Sequence, residues 1–327
     1  MDYHRLITLE NSRISVGILA DVGGRIVRLC TPGGPNLLKA DPREWNRPPL
    51  RNRTITARTP FKAWNGHIVW LGPQNEWWMH QNVSESRRRR RADWPPDPWL
   101  TYGYYTATHR TSSSITLQGP HSPVSGVRLE KTIALHENGS VDIGVSATNI
   151  SNETVAWDLW PNTRVDGYSR CYVPIATNGV ERIAGHGGAN GETMDWQICN
   201  GYFTFSPRQP SKDATQRCAK AFLQPNRGII AAFCGHECFL IHFARHSRDA
   251  IHPQQSQVEL FNCLTHNRSQ ALLELEQHAP YRTLEPQESM QTRQRWEVVP
   301  YSGGNNHPEH TAFLDGMLSP RDTSPQA

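Results

Sequence analysis

Two acids late in the chain are the first residues whose spacing could do chemistry. The run Leu272-Leu273-Glu274-Leu275-Glu276-Gln277-His278 alternates apolar and polar residues. At the strand period of two, Glu274, Glu276 and His278 share one face. A row of acids is either a solvated sheet surface or a site, and in a site a carboxylate can serve as a general base. A second group lies early, in Trp64-Asn65-Gly66-His67-Ile68-Val69-Trp70-Leu71-Gly72-Pro73-Gln74. Here His67, Val69 and Leu71 share one strand face, and Ile68 and Trp70 the other. Asn65, His67 and Gln74 offer directional donors and acceptors beside flat indoles. That set suits a sugar, whose hydroxyls need paired hydrogen bonds and whose C–H face packs on an aromatic ring. A buried strand with a satisfied histidine gives the same pattern. Trp94-Pro95-Pro96-Asp97-Pro98-Trp99 mounts two indoles on a proline-stiffened loop, with little entropy left to lose on binding. Trp157-Asp158-Leu159-Trp160-Pro161-Asn162-Thr163-Arg164 reads as a strand end entering a loop, where ligand groups are often mounted.

Other constellations carry less. Cys234-Gly235-His236-Glu237-Cys238 lacks the second ligand pair of a structural zinc site and reads as a hairpin turn, so no metal is expected. Seven scattered cysteines, an odd count, argue against a disulfide framework. The glycine-rich loop 185–191 is followed by neither Lys-Ser/Thr nor a helix pattern, which excludes a phosphate loop. Arg87 to Arg91 form a run of five arginines in a chain of net charge +4. No recognition helix or stacking module accompanies the run, so it reads as a solvated loop and no nucleic acid is expected. No dinucleotide fingerprint or nucleophile elbow occurs, and no cofactor is expected.

The elements that must position these residues are mostly strands. Short β-type runs at 6–9, 14–18 and 25–30 form a meander, and 67–71 is an apolar strand. A long tryptophan-bearing excursion covers 73–100. Regular strands follow at 104–109, 114–118, 127–136, 140–149 and 154–160, then at 202–205, 219–223, 228–233, 238–245, 257–262, 271–276 and 290–298. Residues 211–217 and 310–318 are short helix candidates, and the residues after 318 read as a disordered tail. No stretch of about eighteen apolar residues exists, so no membrane contact is expected. Residues 1–10 lack a signal-peptide pattern, which points to the cytoplasm.

Four stretches, in order, resemble the galactose-mutarotase superfamily, the aldose-1-epimerase-like supersandwich, and within it bacterial relatives carrying a domain of unknown function. They are Val22-Gly23-Gly24-Arg25-Ile26; Gly66 to Gln74 with Trp94-Pro95-Pro96-Asp97; Ala147 to Glu153; and Glu274-Leu275-Glu276 with Leu284 to Glu288 and Trp296. The resemblance covers roughly residues 5 to 300. It implies an all-β fold, a large antiparallel β-supersandwich of the galactose mutarotase type. One domain would span 1–300, with a partly disordered extension at 301–327. The implied partner is a sugar or oligosaccharide. In epimerases of this kind a late-strand glutamate takes the anomeric proton and a histidine protonates the ring oxygen. Carried over, Glu274 matches the base, Glu276 is its alternative in an ambiguous register, and His67 matches the early histidine. The usual His-Pro pair is replaced by Trp160-Pro161-Asn162, so His67 is the candidate for protonating the ring oxygen. The expected cleft is lined by Asn65, His67, Trp70, Gln74, Trp77, Trp94, Asp158, Trp160, Asn162, Glu274 and Glu276. The readings this leaves open are sugar binding at an anomeric centre, a competent epimerase with Glu274 as base, a lyase or glycoside-cleaving pair of Asp158 and Glu274, and a non-catalytic interaction protein.

Overall fold

Apolar residues at the strand period favour β structure. The computed structural model describes residues 6–45, 54–186 and 193–318, and its strands pair antiparallel throughout. The N-terminal meander is β1 (Ile7–Glu10), β2 (Ser15–Leu19) and β3 (Arg25–Cys30); the short α1 (Pro42–Trp45) precedes β4 (His67–Gly72). The excursion after β4 holds α2 (Glu85–Arg89) and α3 (Pro98–Tyr102). Next come β5 (Thr106–Arg110), β6 (Ser114–His121), β7 (Val127–Leu135), β8 (Val141–Asn149), β9 (Val155–Asp166) and β10 (Arg170–His186). They are followed by β11 (Trp196–Cys199), β12 (Tyr202–Phe205), β13 (Gln216–Pro225), β14 (Ile229–Cys234) and β15 (Glu237–Phe243). The chain closes with β16 (Val258–Thr265), β17 (Leu272–Gln277), β18 (Arg282–Leu284), β19 (Ser289–Pro300) and α4 (His307–Leu318).

The strands form two layers. The first sheet runs β1-β2-β3-β4-β9-β17-β16-β13-β10. The second runs β5-β6-β7-β8-β19-β15-β14-β10-β12-β11. β10 belongs to both: residues 170–174 pair in the second sheet and residues 175–186 in the first. Between the layers lies the main core, with Val69, Leu71, Leu159 and Leu275 from one side and Ile143, Val145, Ile241 and Trp296 from the other. This is the all-β sandwich expected from the sequence.

Some local expectations change. Residues 211–217 form a turn leading into β13 rather than a helix, because β13 is claimed from Gln216 onward by pairing with β16. β9 does not stop at Trp160 but continues to Asp166, since β4 and β17 pair with it on both sides. The 17-residue β10 has no counterpart in the sequence reading. Helix α4 begins at His307 and packs Leu314 with Tyr172, Tyr202 and Phe233 in a second, smaller apolar cluster. One cysteine pair, Cys218–Cys263, bridges β13 and β16. Most of the glycine-rich loop and the expected tail after 318 lie outside the described residues. No helix among the described residues is long and apolar enough to cross a membrane.

Candidate functional site

Strand parity builds the site. β9 carries Asp158, Trp160, Asn162 and Arg164 on the face opposite Leu159 and Thr163. β17 sets Glu276 opposite Asn162 and Glu274 opposite Arg164, and β16 sets Glu259 opposite Glu276. His278 follows directly, its N–H bonded to the Gln257 carbonyl at 2.8 Å. These side chains, with Lys220 of β13, form one polar row on the outer face of the first sheet, and all are buried or nearly so. A buried charge must be paired or change its protonation state.

The two acids of β17 are held differently. Glu274 has both oxygens occupied: Oε1 accepts from Arg164 Nε at 2.6 Å and Oε2 from Asn162 Nδ2 at 3.0 Å. Burial raises its pKa, but Arg164 and the Asn162 hydrogen bond outweigh burial and hold it below the usual carboxylate value. Glu276 accepts from Trp160 Nε1 at 2.9 Å and from Lys220 Nζ at 2.8 Å, both on Oε2. Its Oε1 has no hydrogen-bond partner. Burial pushes Glu276 up, Glu274 and Glu259 add to the rise against Lys220, and the carboxyl titrates at about 8.

The far end of the row is also tuned. Lys220 Nζ lies 2.6 Å from Glu259 as well as 2.8 Å from Glu276. Burial alone would raise Glu259; Lys220 and His278 hold it at about 2. His278 Nδ1 sits 3.1 Å from Asp158 Oδ1, and its Nε2 3.6 Å from Glu259. Burial opposes the imidazolium, yet Asp158 and Glu259 lift it to about 9. Glu259, Glu276 and His278 bring ligand atoms within 4.8 Å of one another, a spacing that could suit a cation. The Lys220 ammonium stands between the two carboxylates and supplies that positive charge itself.

Indoles wall the row. Trp70 and Trp160, paired across β4 and β9, meet edge to face at 5.3 Å, and Trp77 stacks on Trp160 at 5.8 Å. Trp160 in turn tilts over His278 at 5.0 Å, and Arg164 lies over Trp70 at 5.3 Å. Trp94 stands at the rim, 6.4 Å from Trp77, and stays 46% exposed. Asn65 takes a left-handed conformation (φ 54°) before Gly66 (φ 70°), where a Cβ would run into the Ile26 carbonyl. The turn aims Asn65 Oδ1 at Arg164 Nη1, 3.3 Å away. Asn65 also borders a depression of about 890 Å³ lined by Lys39, Asp166, Tyr168 and Arg268, which adjoins the row at its Arg164 end. Gly72 leaves room for Asp158 and Gln255, whose side chains would clash with any Cβ there.

The expected residues are therefore divided. Trp70, Trp77, Asp158, Trp160, Asn162, Glu274 and Glu276 come together, with Asn65 at one end and Trp94 at the rim. Gln74 turns away, its Nε2 donating to the Asp93 carbonyl at 3.0 Å. His67 is not among them. It lies on the Val69–Leu71 face, bonds Thr163 Oγ1 at 2.9 Å and packs edge-on against Trp296 at 5.0 Å, inside the core. Burial, with Lys131 and Arg25 nearby, holds it neutral well below the usual histidine value. A neutral histidine on the opposite face of the sheet from Glu274 cannot protonate a sugar beside that acid. Asp158 and Glu274 sit on one sheet face rather than across a cleft, and each is engaged by a cation. Sequence reasoning missed Lys220, Glu259 and the part His278 plays. The signal for Lys220 was a lone lysine inside the apolar run Ala219-Lys220-Ala221-Phe222-Leu223.

Comparison with known proteins fits this architecture. A galactose mutarotase-like protein from Lactobacillus casei superposes with a TM-score of 0.53 at 13% identity, over 90% of this chain and 100% of that one. A protein of Escherichia coli proposed to be an aldose 1-epimerase gives 0.54 at 14% identity, over 90% and 99%. A galactose mutarotase related enzyme from Lactobacillus acidophilus gives 0.51 at 11% identity, over 92% and 100%. No curated protein matches the sequence. At these identities the likeness establishes the fold alone: a galactose mutarotase-like β-sandwich. The model of one sequence family, DUF4380, a domain of unknown function, matches residues 4–299, and the chain belongs to that family.

Proposed function

We propose that the buried polar row is a saccharide site, and that Glu276 and His278 exchange protons with the bound sugar at its anomeric centre. One observation carries the reading. A carboxyl at about 8 and an imidazolium at about 9 stand two residues apart on one strand face, with an oxygen and a ring nitrogen within 4.8 Å. Glu276 Oε1 and His278 Nε2 each lack a hydrogen-bond partner. Groups titrating near working pH transfer protons best. Ionised Glu276 takes the proton of the anomeric hydroxyl, whose electrons form the carbonyl as the ring C–O bond breaks. The ring oxygen receives its proton from His278 Nε2. Reclosure on the other face returns both protons. The indoles of Trp70, Trp77 and Trp160 supply the stacking wall, and the mutarotase-like neighbours favour a sugar as the ligand.

A second reading, binding without turnover, is favoured by Glu274. Both its oxygens are held by Arg164 and Asn162, as in a site that fixes a ligand rather than converts it. Saturation-transfer NMR against hexoses, pentoses, uronic acids and sugar phosphates separates the two, with α/β exchange followed at the anomeric protons. Binding with accelerated exchange that Glu276→Gln abolishes supports proton transfer. Binding without exchange leaves the second reading, and no binding to any sugar overturns both.

A further inference from the structure

Helix α4 is tied to the outer face of the second sheet by an ordered chain of polar contacts. Arg170 Nη1 lies 3.1 Å from His307 Nε2, and Tyr172 Oη lies 2.8 Å from both His307 Nδ1 and His310 Nδ1. Donor rules place each proton. A guanidinium only donates, so His307 Nε2 accepts and the ring carries its proton on Nδ1. That N–H donates to the Tyr172 hydroxyl. The hydroxyl has a single proton to give, and His310 Nδ1 takes it. His310 then carries its own proton on Nε2, which suits the Gly304 carbonyl facing the ring. The contacts run one way, from Arg170 through His307 and Tyr172 to His310, and they require both imidazoles neutral. A second proton on His307 Nε2 would meet an Arg170 N–H, and one on His310 Nδ1 would meet the Tyr172 O–H.

Little nearby would welcome the added charge. Among the described residues, the titratable and charged groups around the two rings are Arg170 and Tyr172 on β10, Cys199 on β11, Tyr202 on β12, Arg227 before β14, Cys238 on β15, Tyr301 after β19, and Glu309 and Asp315 on α4. Both carboxylates are engaged: Asp315 accepts from Tyr202 Oη at 2.8 Å, and Glu309 caps the helix through Asn306 and Gly304. Burial, Arg170 and His307 hold His310 at about 4 against the upward pull of Glu309 and Gly304, and burial and Arg170 hold His307 below its usual value. His310 also stacks on Phe233 at 3.8 Å, and Leu314 and Phe313 help cover Tyr172, Tyr202, Ile229 and Leu240. Phe233 in turn lines the depression of about 890 Å³ at the Arg164 end of the row. A helix of twelve residues is marginal in water by itself, so α4 depends on these contacts.

We infer that α4 is an acid-released strap, docked while His307 and His310 are neutral and detached when they take up protons, which bares the apolar sheet face and frees Phe233 from His310. The inference stands whether or not the row binds a saccharide. Both rings have lowered values when docked, so docking is full above the ordinary 6.5 and is lost as pH falls toward about 4. From pH 8 to pH 5 the difference at His310 alone weakens docking roughly thirty-fold.

Hydrogen exchange of the full chain, corrected for the intrinsic pH dependence of exchange, tests it. Protection of residues 307–318 is expected to fall roughly thirty-fold or more between pH 8 and pH 5, while β7 and β8 keep theirs. Tyr172→Phe breaks the chain at its centre without changing any charge and should lower protection of α4 about ten-fold already at pH 8. Long-range ¹H–¹⁵N spectra of histidine-labelled protein at pH 8 should show His307 as the Nδ1–H tautomer and His310 as the Nε2–H tautomer. Unchanged protection of α4 from pH 8 to pH 5 overturns the strap. The opposite tautomer at either ring, or wild-type protection in Tyr172→Phe, overturns the contact chain that carries it. Equal loss of protection in α4, β7 and β8 overturns it as well, as acid unfolding of the whole sandwich.

Discussion

The outer faces of the two sheets carry similar alternating sequences and come to opposite ends. On β8 every second residue is buried, and Asp142, Gly144 and Ser146 stay half open along a groove of about 660 Å³ lined also by Glu130, Thr132, Arg293 and Arg295. There Arg295 approaches Asp142 at 3.9 Å and Glu297 at 3.4 Å with all three side chains about half exposed, and water screens the charges. On β17 both faces are covered, so Glu274 and Glu276 are buried like Leu273 and Leu275 beside them. The same residue types in the same period are ordinary surface in one sheet and a tuned proton-holding row in the other. Burial makes the difference, because loss of water strengthens each charge pair and penalises each unpaired one.

The largest effect expected of this contrast is chemical. Glu276→Gln should lower anomeric exchange by about 10²- to 10⁴-fold, while Glu130→Gln on the open face leaves it unchanged in the same NMR assay. Equal responses would erase the contrast. Next is stability. Lys220→Met leaves Glu259 buried without its ammonium and should cost about 3–5 kcal/mol in urea unfolding. Arg295→Met on the open face should stay within about 0.5 kcal/mol.

The pH dependence is a finer probe. Exchange should rise as Glu276 ionises through about 8 and fall as His278 loses its proton through about 9, giving a narrow bell in the rate profile. Stability has its own signs. Glu276 and His278 have raised pKa values, so the stability they contribute is full below their ordinary values of 4.5 and 6.5 and is lost as pH rises through about 8 and about 9. Glu259 is depressed, so its contribution is present above 4.5 and is lost as pH falls through about 2. Thermal unfolding of Glu276→Gln should therefore lose less stability than wild type between pH 4.5 and 8; an unchanged slope would deny the raised value. The smallest effect belongs to Trp94→Ala, which should move stability by no more than about 0.5 kcal/mol while weakening sugar binding.

Much of this was legible in the chain. The strand period announced the sandwich, and parity alone put Glu274, Glu276 and His278 on one face. The same parity separated His67 from Trp70 within β4, yet its polar ring beside the indoles, and then the resemblance to epimerases, drew His67 into the site, and only its packing against Trp296 places it in the core. The run 157–164 read as a strand end entering a loop, but pairing on both sides carries β9 through to Asp166 and brings Asn162 and Arg164 to Glu274.

By itself the sequence determined the alternation, the turn positions and the types of group available: acids on one strand face, indoles in a stiff loop, arginines in a run. Which alternating face met water and which met other side chains was decided only in three dimensions. Lys220 stands 56 positions from Glu276 in sequence, and no local period links them. Register across β13, β16 and β17 puts the ammonium between two carboxylates, and burial then sets which of the acids holds its proton.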